Sequence, residues 1–96
     1  MAQVVIAPSA WDDLARLYEF LAEHDPTAAA NAIAAIEDGV LLLERHSGIG
    51  RPVREGLREL IISCGATGHI ALYEFLPARG LVTVFKLRHQ RELGYK

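Results

Sequence analysis

The sequence predicts an α+β domain of order β-α-α-β-β-β, a small antiparallel sheet packed against an antiparallel helical hairpin. Three observations predict it. Apolar residues recur at steps of three and four through residues 9–45, they alternate at a step of two in three runs after residue 56, and short turns join those runs. Ninety-six residues, 51% of them hydrophobic, supply one core, and no shift in composition marks a boundary, so a single domain is expected over 1–96.

The first element is QVVIA, residues 3–7, a β-branched run closed by Pro8. Ser9 then stands where a helix N-cap is wanted, and Ser9-Ala-Trp-Asp12 reads as a capping box with Asp in the place of Glu. Asp12 and Asp13 suit the positive end of the helix dipole. Ala10, Leu14, Leu17 and Leu21 follow at steps of four, three and four, with Trp11 and Tyr18 widening the stripe, which predicts an amphipathic helix ending near His24. Asp25-Pro26 opens the second helix as N-cap and first helical residue. Ala29, Ile33, Ile36, Val40 and Leu43 carry its stripe to Arg45, and Gly48 is the expected stop. Almost no residues separate the helices, so they fold back on each other. Ala28, Ala29, Ala30 and Ala32 let the backbones approach, and Gly39, which costs about 1 kcal/mol relative to Ala in a helix, points to close packing of its own.

A glycine-rich basic loop, HSGIGRPVREG at 46–56, precedes the change of period. Residues Leu57–Cys64, 69–76 and 81–88 are strand-length and rich in β-formers. GATG at 65–68 and PARG at 77–80 are the turns, so the three strands form an antiparallel meander.

Composition excludes several classes. The lone Cys64 rules out an internal disulfide, suits a reducing compartment, and reads as a small buried hydrophobe. No stretch is long enough to span a bilayer, and MAQVVIAPSA lacks the basic and apolar regions of a signal peptide, so a cytoplasmic location without membrane contact is expected. The net charge of −2 conceals an asymmetry: residues 1–50 carry two basic and eight acidic groups, residues 51–96 eight basic and four acidic. Halves of −6 and +4 predict one acidic and one basic face.

No Walker-type or G-x-G-x-x-G loop is present, and the G-x-G of Gly48 and Gly50 is too short to bind a nucleotide. The four histidines, His24, His46, His69 and His89, are scattered without metal-ligand spacing, so neither metal nor cofactor is expected. Neither Ser9 nor Ser63 has a nucleophile context. What remains is basic: Arg51, Arg54 and Arg58 in and after the loop, Arg88, His89 and Arg91 at the end of the last strand. Guanidinium forks suit phosphate and carboxylate alike. Alternation puts Arg58 on the face of Leu60, Ile62 and Cys64, and Glu59 on the opposite face with Leu57 and Ile61. On the last strand it puts Lys86 and Arg88 on the face of Val82 and Val84, and Leu87 on the other. Tyr73 and Phe75 read as core rather than as platforms for stacked bases.

The opening P-S-A-W-D-D-L of the hairpin, the loop ERHSGIGRPVREGLREL, the strand HIALYEF and the tail VFKLRHQR, in this order and spacing, resemble the ParE toxins of the RelE/ParE superfamily of bacterial type II toxin–antitoxin modules. The resemblance covers essentially the whole chain. It implies a toxin that inhibits DNA gyrase, is neutralised by a cognate ParD-like antitoxin, and makes no sequence-specific DNA contact of its own. Arg51, Arg54, Arg58, Arg88, His89 and Arg91 are then the expected contacts to antitoxin or target. The resemblance leaves two alternatives: a weakly toxic member that serves chiefly as an antitoxin-binding module, or an enzyme like the RelE relatives, which cleave mRNA in the ribosomal A site. That chemistry needs an acid, a base and cations for the transition state, and the matching positions are Arg58 for phosphate, His89 as acid or base and Tyr95 as a positioned hydroxyl. Against it, the loop lysines of RelE-like enzymes are absent, since Lys86 and Lys96 are the only lysines. LRHQR, and a second helix of about 20 residues reaching about 30 Å, are closer to the ParE pattern.

Overall fold

Five strands form one mixed sheet, ordered across it as the first, fifth, fourth, third and second in sequence, and two helices pack on one of its faces. The computed structural model describes residues 1–64 and 67–90. β1 (Gln3–Ile6) leads into α1 (Pro8–Ala22) and α2 (Pro26–Arg45). β2 (Arg51–Arg54), β3 (Leu57–Cys64), β4 (Thr67–Leu76) and β5 (Leu81–His89) follow, with a 3-10 turn at Pro77–Arg79 between the last two. The expected meander is β3-β4-β5, antiparallel throughout; its first turn, at 65–66, lies outside the described residues.

Two edge strands widen this meander. β1 pairs with β5 in parallel, Gln3 opposite Leu81 through Ile6 opposite Val84. β2 forms inside what the sequence presents as a loop, where the turn at Glu55 and Gly56 folds it back on β3. Four residues, all exposed and one of them proline, leave no alternation to read, so pairing rather than pattern makes this strand.

Helix entry differs from expectation at α1. The N-cap is Ala7, Pro8 is the first helical residue, and the Ser9 capping box is not made. Ser9 and Asp13 turn to β5 instead. β5 outruns β1, whose last pair is Ile6 with Val84. Beyond it, the Ser9 hydroxyl donates to the Phe85 carbonyl at 2.6 Å, and the Leu87 N–H donates to Asp13 Oδ2 at 2.9 Å. Residues four apart on one helix face thus satisfy backbone groups that a longer β1 would have paired. Asp13 is buried, with Lys86 Nζ at 3.5 Å from the same oxygen and Arg16 Nη2 at 3.9 Å from the other.

At α2 the reading holds. Asp25 Oδ1 accepts from the N–H groups of Thr27 and Ala28, both at 3.1 Å, with Pro26 following. The helix ends at Arg45 with His46 as C-cap, two residues before Gly48. By length and composition α2 is long and apolar enough to cross a membrane, contrary to the sequence expectation. Here its apolar stripe, Ala29, Ala32, Ile36, Val40 and Leu43, is spent on the protein core. Gly39 lets α2 settle on β3: a Cβ there would stand 2.8 Å from the Ile62 side chain.

The core joins Ala10, Leu17, Ile36 and Leu43 of the helices to one side chain in two from β3, β4 and β5. A bulge resets the alternation in β5. Leu72 pairs with Lys86 but Tyr73 with Val84, so Phe85 is the extra residue. Val82, Val84 and Leu87 therefore all enter the core, and Arg88 falls on the opposite face from Val82 and Val84, reversing the expectation from simple alternation.

Candidate functional site

The loop from Ser47 to Gly50 is pinned to the sheet by two side chains of the helix-facing side, Arg58 and its cross-strand neighbour Tyr73. The Tyr73 hydroxyl donates to the Ser47 carbonyl and accepts from the Gly50 N–H, each at 2.8 Å. Arg58 Nη1 donates to the carbonyls of Gly50 at 2.7 Å and Gly48 at 3.1 Å. The Ser47 hydroxyl returns to the Leu43 carbonyl at 2.6 Å, tying the loop to the end of α2. Tyr73 is fully buried, and burial pushes its phenol above the usual 10.0, against the smaller lowering influences of the Gly50 N–H and the Arg58 charge. It therefore stays a neutral donor. Gly50 is obligatory here, because a Cβ would lie 2.7 Å from the Tyr73 hydroxyl and from the Glu59 carbonyl oxygen.

The opposite, helix-free face carries the second constellation. Glu59, only 8% exposed, accepts from Arg51 Nη2 at 2.9 Å and lies 4.0 Å from Arg88 Nη2. The Arg51 side chain is mostly exposed, that of Arg88 mostly covered. Ile70 and Leu72 on the same face are buried, whereas Ile61 is exposed. The question raised by an acidic residue on an apolar strand is answered by this pairing across β2, β3 and β5.

The sequence-derived candidates thus fall into separate places. Arg51 and Arg88 meet at Glu59, Arg58 holds the loop on the other side of the sheet, and Arg54 is exposed on the edge strand. His89 pairs in register with the buried His69, their rings edge to face at 5.3 Å between centroids. Arg91, Tyr95 and the side chain of Cys64 lie outside the described residues. Among the described residues no cluster of His, Cys, Asp or Glu could hold a metal ion.

A third feature is a groove between the helices. Two depressions of about 240 and 320 Å³ share Trp11 and Leu14 as walls, with Ile33, Glu37, Val40 and Leu41 among their other lining residues. Trp11 and Leu41 are more than half exposed. Sequence periodicity assigned Trp11 and Tyr18 to the apolar stripe; their position at its solvent margin was the available signal.

Two helices packed on a five-stranded mixed sheet are the fold this chain shares with toxins of type II toxin–antitoxin modules. The family described as "ParE toxin of type II toxin-antitoxin system, parDE" matches residues 4–94, and the chain belongs to that family, within the ParE/RelE superfamily. It is 35% identical over 92 residues to Toxin RelE3 of Caulobacter vibrioides, spanning 96% of this chain and 98% of the relative. Among solved structures it is similar to the chromosomal ParDE toxin–antitoxin system of P. aeruginosa, with a TM-score of 0.74, 19% identity and coverage of 93% of this chain and 96% of that one. It is also similar to the RelBE2 toxin–antitoxin complex of Mycobacterium tuberculosis, with a TM-score of 0.66, 20% identity and coverage of 93% and 98%.

Proposed function

We propose that this toxin inhibits DNA gyrase in the cytoplasm and is held inactive by a cognate ParD-like antitoxin. The observation that carries the choice of target is the engagement of Arg58. The ribonuclease alternative needs that guanidinium for a scissile phosphate, yet its Nη1 bridges two loop carbonyls on the helix-facing side of the sheet. Matching of residues 4–94 to the ParE family supports the same reading. For a gyrase inhibitor no acid–base pair is required, and the basic surface acts by contact.

The antitoxin's apolar side chains occupy the groove beside Trp11 and Leu14, and its acidic groups face the exposed Arg51 and Arg54. Burial of such a groove contributes about 25 cal/mol per Å² of apolar surface removed from water, while peripheral charges steer encounter more than they hold the complex. The test is plasmid supercoiling by purified gyrase with ATP, with and without folded toxin. Inhibition with trapped linear DNA, relieved by the antitoxin, is the expected result. Full supercoiling at toxin excess moves the target to the ribosome.

A further inference from the structure

The helix-free face has the arrangement an anion site needs, with an anion of the chain's own already in it. Arg51 on β2 stands directly across from Glu59 on β3, and Arg88 comes from β5, two strands away, where it pairs in register with Ile70. Both guanidiniums face one carboxylate, Arg51 hydrogen-bonded to it at 2.9 Å and Arg88 4.0 Å from its other oxygen, with Arg88 Nη1 donating to the carbonyls of His89 and Gln90. Glu59 is 8% exposed and the Arg88 side chain 15%, beside the buried Ile70 and Leu72. Two guanidiniums converging on one point of a partly dehydrated surface match the oxygens of a phosphate as well as those of a carboxylate. Glu59 fills that point with a charge of phosphate's own sign. A phosphodiester arriving there faces a fixed negative charge beside the two guanidiniums.

We propose that Glu59 is a built-in anion that closes this arginine pair to phosphate, and is therefore the residue that keeps the sheet face from binding RNA. The proposal rests on the reading of this chain as a toxin that does not act on mRNA, and it names the residue responsible. Glu59→Gln keeps the size and an accepting oxygen while removing the charge. Glu59→Ser also vacates space between the guanidiniums.

Both variants, checked for folding by circular dichroism, are titrated with inorganic phosphate and with a short single-stranded RNA. The expected result is a gain in affinity of about tenfold or more over the unsubstituted protein, which weakens with added salt and is lost again when Arg88→Gln is combined with it. No gain in a folded variant, or a gain that survives Arg88→Gln, overturns the proposal. The unsubstituted protein gives an independent reading. The ¹⁵N guanidinium resonances of Arg51 and Arg88 stay in place as inorganic phosphate is added, and a saturable shift there overturns the proposal whether or not the variants fold. Neither measurement contains gyrase. A wrong choice of target would appear in the supercoiling assay and leave this result standing.

Discussion

The two faces of the sheet are built on different rules. Facing the helices, most side chains are apolar, and polar groups that intrude find backbone partners: Tyr73 in Ser47 and Gly50, Ser9 in Phe85, and Asp13 in Leu87 beside the charges of Lys86 and Arg16. On the other face, charged side chains answer one another through Glu59, Arg51 and Arg88. Backbone partners are fixed in place, so substitutions on the first face act on the stability of the fold. Side-chain partners are exchangeable, so substitutions on the second face act on what the surface recognises.

Gly50→Ala is the strongest way to break this division. The added methyl meets the Tyr73 ring and hydroxyl and the Glu59 carbonyl at 2.7 Å, and a buried tyrosine and a strand backbone have little room to give. A loss of about 3 kcal/mol in urea unfolding is expected, the upper end of overpacking costs.

Tyr73→Phe keeps the packing and strands one carbonyl and one N–H of the loop, for a loss of about 2 kcal/mol. It also carries a pH signature. With the folded phenol raised above 10.0 by burial, the unfolded chain releases this proton first as pH rises. The unfolded state then binds fewer protons than the native state, and stability falls. The contribution is intact below 10.0 and is lost as pH rises through the raised folded value. The alkaline limb of the stability profile should flatten in Tyr73→Phe, and an unchanged limb would assign it to other groups.

Ser9→Ala removes the hydroxyl bound to Phe85 and is expected to cost about 1 kcal/mol, with helix content unchanged because Ala7 rather than Ser9 is the N-cap. Loss of helix on circular dichroism would restore a capping role. The smallest effect belongs to the exposed edge. Arg54→Ala should leave stability within about 0.5 kcal/mol and weaken antitoxin binding, read as a slower association rate in low salt.

These residues also mark what was legible in advance. Periodicity located both helices because each buries one face along its length, β-forming runs bounded by turn residues located the three long strands even though β4 is buried on both faces from His69 to Tyr73, and Asp25-Pro26 marked the start of α2 through local geometry alone. Other features were set by distant partners. β2 exists through its register with β3, and its four exposed residues carry no pattern. Ser9 and Asp13 read as helix-start residues because nothing nearby in sequence announces that β5 outruns β1. The β5 bulge exchanges faces after Val84, which no count of alternating residues foresees. At the candidate site the arginines were visible as a basic set, and Glu59 was visible as an anomaly on an apolar strand. Their division between two faces of the sheet depends on pairing across β2, β3, β4 and β5.

On the function proposed, the sheet face of this toxin is closed to RNA and the protein acts by contact on gyrase. The most direct test is primer extension on mRNA translated by programmed ribosomes, with folded toxin at concentrations that stop gyrase in parallel. Intact transcripts are the predicted result. Cleavage at the codon in the ribosomal A site would contradict the claim.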